Sequence, residues 1–91
     1  MLKKPIEEVL EEYKPLVVSI ARRYFLAGGE IEDLIQEGMI GLYKAVQSFN
    51  EESGASFSTF ANLCITRQIL SAIKHANNNK NKALNELSIT G

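Results

Sequence analysis

Apolar residues recur at helical spacing along nearly the whole chain, and this periodicity restricts the fold more than any other feature. Over residues 6–25, for example, they fall in steps of three and four, which places them on one face of an α-helix. No stretch alternates apolar and polar residues for long enough to indicate a β-strand. The sequence therefore predicts a compact all-α domain of three helices, or four if Pro15 breaks the first.

The first helix is expected to run from about Pro5 to Leu26, because proline suits a first helical turn and Gly28-Gly29 stops a helix. Pro15 removes a backbone donor, so it should kink this helix or split it into two segments. The predicted buried stripe comprises Ile6, Val9, Leu10, Tyr13, Leu16, Val17, Ile20, Ala21, Tyr24 and Phe25.

The second helix is predicted to start among the acidic residues 30–33 and to reach about Phe49. Gly38 and Gly41 each cost about 1 kcal/mol relative to alanine inside a helix. We therefore expect another backbone to pack closely against them. The predicted core face comprises Ile31, Leu34, Ile35, Leu42, Tyr43, Val46 and Phe49.

A third helix is expected to follow the polar turn 50–54, capped by Ser56 or Ser58 and ending near Asn77. Beyond it, the asparagine- and lysine-rich run has poor helix propensity and indicates a loop or frayed end. We predict one helical domain over 1–79 and a flexible tail or linker over 80–91. The third buried stripe would comprise Phe57, Phe60, Ala61, Cys64, Ile65, Ile69, Ala72 and Ile73.

Composition restricts the function classes. The 91 residues are 45% hydrophobic and 23% charged, which is typical of one small globular domain. Cys64 and His75 are the only residues of their types, so we expect no disulfide, metal or other cofactor, and enzyme chemistry finds little support. The N-terminus lacks a signal-peptide core and no apolar run could span a membrane, so we expect a cytoplasmic protein.

Charge is distributed unevenly, although the net charge is only −1. Residues 1–64 contain six basic and ten acidic side chains, whereas residues 65–91 contain four basic and one acidic. Such a chain could meet a basic protein with one part and phosphates with the other. A chance fluctuation over few charges remains the alternative.

The second helix has one unusual outer face, formed by Asp33, Gln36, Glu37 and Ile40. These positions follow steps of three and four on the side opposite the apolar stripe. An isoleucine framed by acids and an amide suits a groove or coiled coil on a partner protein. An ordinary solvated face with one stray isoleucine is the alternative.

Longer runs of sequence resemble a known family. DLIQEGMIGLYKAVQSFN (33–50) and GASFSTFANLCITRQILSAI (54–73) resemble region 2 of the sigma-seventy family of RNA polymerase sigma factors. LVVSIARRYF (16–25) resembles the opening of the same region, and the likeness covers about residues 13–78. The pattern FSTFANLCITRQI (57–69) is most similar to the sporulation and alternative sigma-H type.

The resemblance implies roles for individual residues. The outer face of the second helix matches positions that bind the coiled coil of the polymerase β′ subunit. Phe57 and Phe60 match aromatic positions that capture non-template bases during DNA melting, although core packing is the alternative for both. The remaining matches belong to the segment that reads the promoter −10 element: Thr66, Arg67, Gln68, Leu70, Ser71 and Lys74. Within that segment, Arg67 and Lys74 suit phosphates and Gln68 suits a base edge.

Two departures from the family pattern leave alternatives open. Leu63-Cys64 stands where primary sigma factors have two tryptophans, which suggests stricter dependence on promoter sequence. No region 4 follows, so the chain is expected to be a truncated N-terminal domain or a minimal homologue. An interaction module that docks on polymerase or an anti-sigma regulator without melting DNA, and a free-standing DNA-binding protein, are the competing hypotheses.

Overall fold

A computed structural model describes residues 4–26 and 28–90, with side chains over 4–26 and 28–77. It contains α1 (Ile6–Ala21), α2 (Ile31–Ser48), a short 3-10 turn (Glu51–Ser53) and α3 (Phe57–Thr90). These described residues include no β-strand. The predicted all-α class with three helices is confirmed.

The ends of two helices differ from the prediction. α1 ends at Ala21 rather than near Leu26, after a tightened final turn in which the Tyr24 N–H donates to the Ala21 carbonyl at 3.2 Å. α3 extends to Thr90, past the predicted end near Asn77, and no proline or glycine between them stops it. The flexible tail predicted over 80–91 lies outside the residues whose side chains are described and stays a prediction.

Pro15 lies inside one continuous α1, so this helix is not split into two segments, which was one of the two alternatives for the proline. A proline removes a single intrahelical hydrogen bond, and the helix on either side can remain formed if tertiary packing holds it. Val9 and Val17, one on each side of Pro15, are both buried in the core. The continuity of α1 is therefore maintained by burial of its apolar face.

Side-chain hydrogen bonds cap the N-termini of α2 and α3. The carboxylate of Asp33 accepts the N–H of Glu30 at 2.9 Å, which satisfies a donor at the start of α2. The hydroxyl of Ser56 accepts the N–H of Thr59 at 3.2 Å, which identifies Ser56 as the cap among the two predicted candidates. These caps set where each helix begins and therefore which faces its residues occupy.

The three helices share one core, and three predicted members of that core are exposed. Phe25 is 79% exposed because it lies beyond the end of α1. Ile31 and Tyr43 are 40% and 43% exposed, since one begins α2 and the other is turned about 100° from the buried Leu42. The buried apolar residues are Val9, Val17, Ile20, Ala21, Leu34, Leu42, Ala45, Phe57, Ala61, Ile65 and Ile69.

The two glycines of α2 lie close to atoms of the neighbouring helices. A Cβ placed at Gly41 would lie 2.7 Å from the carbonyl oxygen of Cys64 and 2.9 Å from the Cα of Ile65. A Cβ at Gly38 would lie 2.6 Å from Cγ1 of Val17 in α1. The expected close approach of another backbone is confirmed at Gly41, where α3 touches α2 directly.

Gly41→Ala is expected to lower the free energy of unfolding by about 1–3 kcal/mol, because the new methyl group meets backbone atoms that cannot yield alone. The gain of about 1 kcal/mol in helix propensity offsets only part of this cost. Urea unfolding followed by far-UV circular dichroism measures the change. Gly38→Ala is the control, because its new methyl group meets side-chain methyl groups and should cost less stability. A Gly41→Ala variant as stable as wild type would contradict the close packing of α2 and α3.

Candidate functional site

The first candidate surface is the outer side of α2, formed by Asp33, Gln36, Glu37 and Ile40 and called the α2 face below. Asp33 and Gln36 are exposed, Ile40 is 44% exposed, and Glu37 is half-buried. The structure therefore brings the four predicted residues together on one surface. An apolar centre is framed by two carboxylates and an amide, which is an arrangement suited to binding another protein.

Hydrogen bonds fix part of the α2 face. The amide nitrogen Nε2 of Gln68 in α3 donates to Oε1 of Glu37 at 3.0 Å. The amide oxygen Oε1 of the same Gln68 accepts from Nζ of Lys44 at 3.1 Å. Sequence reasoning did not single out Lys44, although its position seven residues after Glu37 places both on one side of α2, two turns apart.

The residues predicted to bind DNA do not form one surface, since three orientations divide them along α3. Arg67, Leu70 and Lys74 are exposed at steps of three and four, which aligns them in an outward stripe. Leu63 extends this stripe and is 45% exposed, as is Leu70. We call these four residues the α3 stripe; Leu63 was noticed in the sequence only as a replacement for tryptophan.

Thr66 is turned toward α1, where it lines an open groove of about 650 Å³ between the two helices. Across the groove, the hydroxyl groups of Tyr13 and Ser58 lie 3.2 Å apart in a hydrogen bond. The groove combines an aromatic ring with hydroxyl and amide groups on mostly apolar walls. Its full lining is Tyr13, Leu16, Ser58, Thr59, Asn62, Leu63 and Thr66.

Gln68 and Ser71 are turned the other way, toward α2. Together with Glu37, Ala72 and His75 they line a shallow depression between α2 and α3. Two residues that the resemblance assigns to DNA thus border the surface that it assigns to polymerase. Helical phase, rather than distance along the chain, separates them from the α3 stripe.

The two aromatic residues predicted to contact DNA have different environments. Phe57 is only 8% exposed, and its ring packs edge-on against Tyr13 and Phe49 with centroids 5.1 and 5.3 Å away. Phe60 is half-buried, with its centroid 5.8 Å from that of Phe49. Burial favours core packing for Phe57, whereas Phe60 keeps an accessible edge.

Cys64 is half-buried against the core and carries no sign of reactive chemistry. Burial raises the pKa of its thiol, and the positive charge of Arg67 lowers the pKa in part. The thiol therefore stays neutral near pH 7, as a packing residue does. Within the described part of the chain, no group of three or more His, Cys, Asp or Glu side chains could hold a metal ion.

No described helix is long and apolar enough to cross a membrane. The described residues form a small helical domain with an acidic and apolar face on α2 and a basic and apolar stripe on α3. Residues 9–79 match the family described as Sigma-70 region 2. The chain belongs to this family, as the resemblance predicted.

Individual relatives agree with the family match. The chain is 49% identical over 80 residues to the RNA polymerase sigma-H factor of Bacillus subtilis (strain 168), covering 88% of this chain and 37% of that protein. The sigma-H factor of Bacillus licheniformis gives the same identity over 36% of its length. RNA polymerase sigma factor SigA of Microcystis aeruginosa is 43% identical over 67 residues, which are 74% of this chain and 16% of SigA. The chain spans little more than a third of the sigma-H factors.

Phe57→Ala is expected to remove about 3–5 kcal/mol from the free energy of unfolding, because it deletes a buried ring that contacts α1 and the end of α2. That loss approaches the whole stability of a small domain, so little cooperative unfolding should remain. Phe60→Ala removes a half-buried ring and should keep a cooperative transition. Thermal and urea unfolding curves distinguish the two, and equal losses would contradict the assigned packing.

Proposed function

We propose that this chain acts as region 2 of a sigma factor, binding RNA polymerase core through the α2 face and promoter −10 DNA through α3. The observation that carries the proposal is the placement of two chemically opposite faces on neighbouring helices. Because the faces do not overlap, a protein and a nucleic acid can be bound together. Relatives that are named RNA polymerase sigma factors support the same function.

The α2 face suits a basic helical hairpin, and the β′ coiled coil is the partner that the family implies. Asp33 and Glu37 would attract and orient a basic partner, which raises the rate of encounter. Ile40, which is 44% exposed, supplies apolar area that is removed from water on docking and so slows dissociation. Gln36 beside it provides a donor and an acceptor for the rim of the contact.

The α3 stripe suits a DNA strand. Arg67 and Lys74 are two turns apart, so they can reach different phosphates along one backbone. Leu63 and Leu70 lie on the same stripe and offer apolar contacts to bases or thymine methyl groups. Ser71 lies beside the α3 stripe, on the side toward α2, and its hydroxyl group can donate to a phosphate of the DNA backbone.

An unpaired base needs a binding pocket, and we assign this role to the groove between α1 and α3. Tyr13 offers an aromatic edge, while Thr66, Ser58 and Asn62 offer hydrogen-bonding groups on an apolar wall. Phe60 is the predicted aromatic that retains accessibility for stacking. Capturing unstacked bases offsets the few kcal/mol that opening each step of the duplex costs. Binding of the unpaired bases thus stabilises the separated strands, and no chemical step is needed.

Replacing Gln36 and Glu37 together by alanine is expected to weaken binding to RNA polymerase core at least about tenfold, since truncating one partner of a buried, hydrogen-bonded charge pair costs about 2 kcal/mol or more and the half-buried Glu37 would be such a partner in the complex. Fluorescence anisotropy of the labelled chain against core enzyme measures the affinity. Glu7→Ala serves as the control, because it removes a glutamate from the exposed side of α1. Failure of the folded wild-type chain to bind core would overturn the proposal.

Replacing Arg67 and Lys74 by alanine is expected to weaken promoter binding by the reconstituted polymerase while leaving affinity for core unchanged. Each lost phosphate contact should lower the slope of log affinity against log salt by about one, so the pair should lower it by about two. Titrations at several salt concentrations measure the slope. An unchanged slope would show that Arg67 and Lys74 do not contact DNA phosphates and would contradict the role assigned to the α3 stripe.

A sigma-like module that docks on polymerase or a regulator without melting DNA is the second candidate. Burial of Phe57 favours it, because one of the two aromatic residues predicted to capture bases is committed to the core. On this alternative polymerase carrying the wild-type chain would not open the promoter, whereas the Gln36 and Glu37 variant would still lose core binding. Permanganate footprinting of unpaired thymines separates the two functions.

A further inference from the structure

We infer that Gln68 is a positioning residue of the polymerase-binding surface, where it holds Glu37 in place while Lys44 anchors the other end of its amide, rather than a reader of a promoter base. The inference rests on the proposed binding of polymerase by the α2 face. It changes the role that the sequence suggested for Gln68 and gives Lys44 the role of a support for that side chain.

The geometry shows Gln68 committed at both ends of its amide. Nε2 donates to Glu37 at 3.0 Å and Oε1 accepts from Lys44 at 3.1 Å, so one α3 side chain lies between two groups of α2. The opposite charges of its partners also fix the direction of the amide. A flipped amide would place its NH₂ against an ammonium group and its oxygen against a carboxylate.

Close packing keeps the Gln68 side chain directed at α2. Its Cβ lies 2.9 Å from the point where a Cβ at Gly41 would stand, so the stem of Gln68 rests against the α2 backbone. Only glycine leaves room for this approach. The bond between Gln68 and Glu37 is therefore built on the contact that joins the two helices and is partly buried.

A restrained Glu37 is better prepared for a partner than a free one. A glutamate loses rotamer freedom when it docks, and Gln68 removes part of that cost in advance by holding the carboxylate before binding. A carboxylate has about four lone-pair sites, so the bond to one oxygen leaves acceptor capacity for a basic group of polymerase. Hydrogen bonds to charged groups are stronger than neutral ones, which suits this role.

Base reading would require Gln68 to give up both bonds. Bidentate recognition of adenine uses the amide oxygen and nitrogen together, and Glu37 and Lys44 engage both atoms here. Gln68 is also turned about 100° from Arg67 and so lies off the α3 stripe. Releasing it would leave the half-buried Glu37 without its amide donor.

The decisive experiment is a double-mutant cycle on binding to RNA polymerase core, using Gln68→Met and Glu37→Ala. Methionine keeps the length and helix propensity of glutamine and removes both hydrogen bonds. Gln68→Met should weaken core binding about three- to tenfold in the wild-type background and not at all once Glu37 is alanine. Asn77→Met, an exposed amide-to-methionine change on the same helix, should have no effect.

The second readout is promoter specificity of polymerase saturated with each variant. Affinities for a set of −10 sequences with single base changes should keep the same rank and spacing in Gln68→Met as in wild type. Circular dichroism checks that each variant is folded. If Gln68→Met does not fold, Gln68→Asn replaces it, because the shorter amide cannot span Glu37 and Lys44 and should weaken core binding in the same way.

The outcomes are distinguishable. Gln68→Met binding core like wild type, or weakening it equally when Glu37 is alanine, would overturn the positioning role while the proposed function stands. A loss of discrimination at one −10 position with unchanged core affinity would return Gln68 to base reading. A wild-type chain that does not bind core would overturn the proposed function and the inference together.

Discussion

The close contact between α2 and α3 is the constraint on which the other features depend. At Gly41 the two backbones approach so nearly that a single added methyl group would meet the Cys64 carbonyl oxygen at 2.7 Å. This approach sets the rotational phase of α3 against α2, and phase decides which residues of α3 are buried, which point outward and which reach α2. Ile65 and Ile69 fill the core as a result, while Arg67 remains outside.

The same contact places one buried seam beneath the two proposed binding surfaces. On its outer edge, Gln68 links Glu37 and Lys44 and so connects the helix proposed to hold DNA with the helix proposed to hold polymerase. The packed seam and the hydrogen-bonded bridge are contiguous physical contacts between the two helices. A small domain can thus hold its two proposed binding faces in a fixed orientation relative to each other.

Periodicity predicted the helices well because burial of one face stabilises a helix in the folded chain. It failed where local geometry at an end decides the outcome. Phe25 continues the apolar spacing of α1, yet it lies beyond the last turn and is 79% exposed. Tyr43 was misassigned because an apolar ring adjoining Leu42 resembles a core residue in sequence, although it is turned away from the seam. The four residues of the α2 face share one outer side of the helix, as their spacing predicted, since helical phase alone separates them from the stripe around Leu34, and their binding role stays a prediction.

By itself the sequence determined the all-α class, the approximate helices, the reason for glycine at position 41 and membership of the sigma family, because these follow from spacing, local chemistry and motif. Only the tertiary structure decided that Phe57 belongs to the core and that Gln68 turns toward Glu37. The contacts of Gln68 with Glu37 and of Phe57 with Tyr13 join residues 31 and 44 positions apart, and such contacts are set by how whole helices pack.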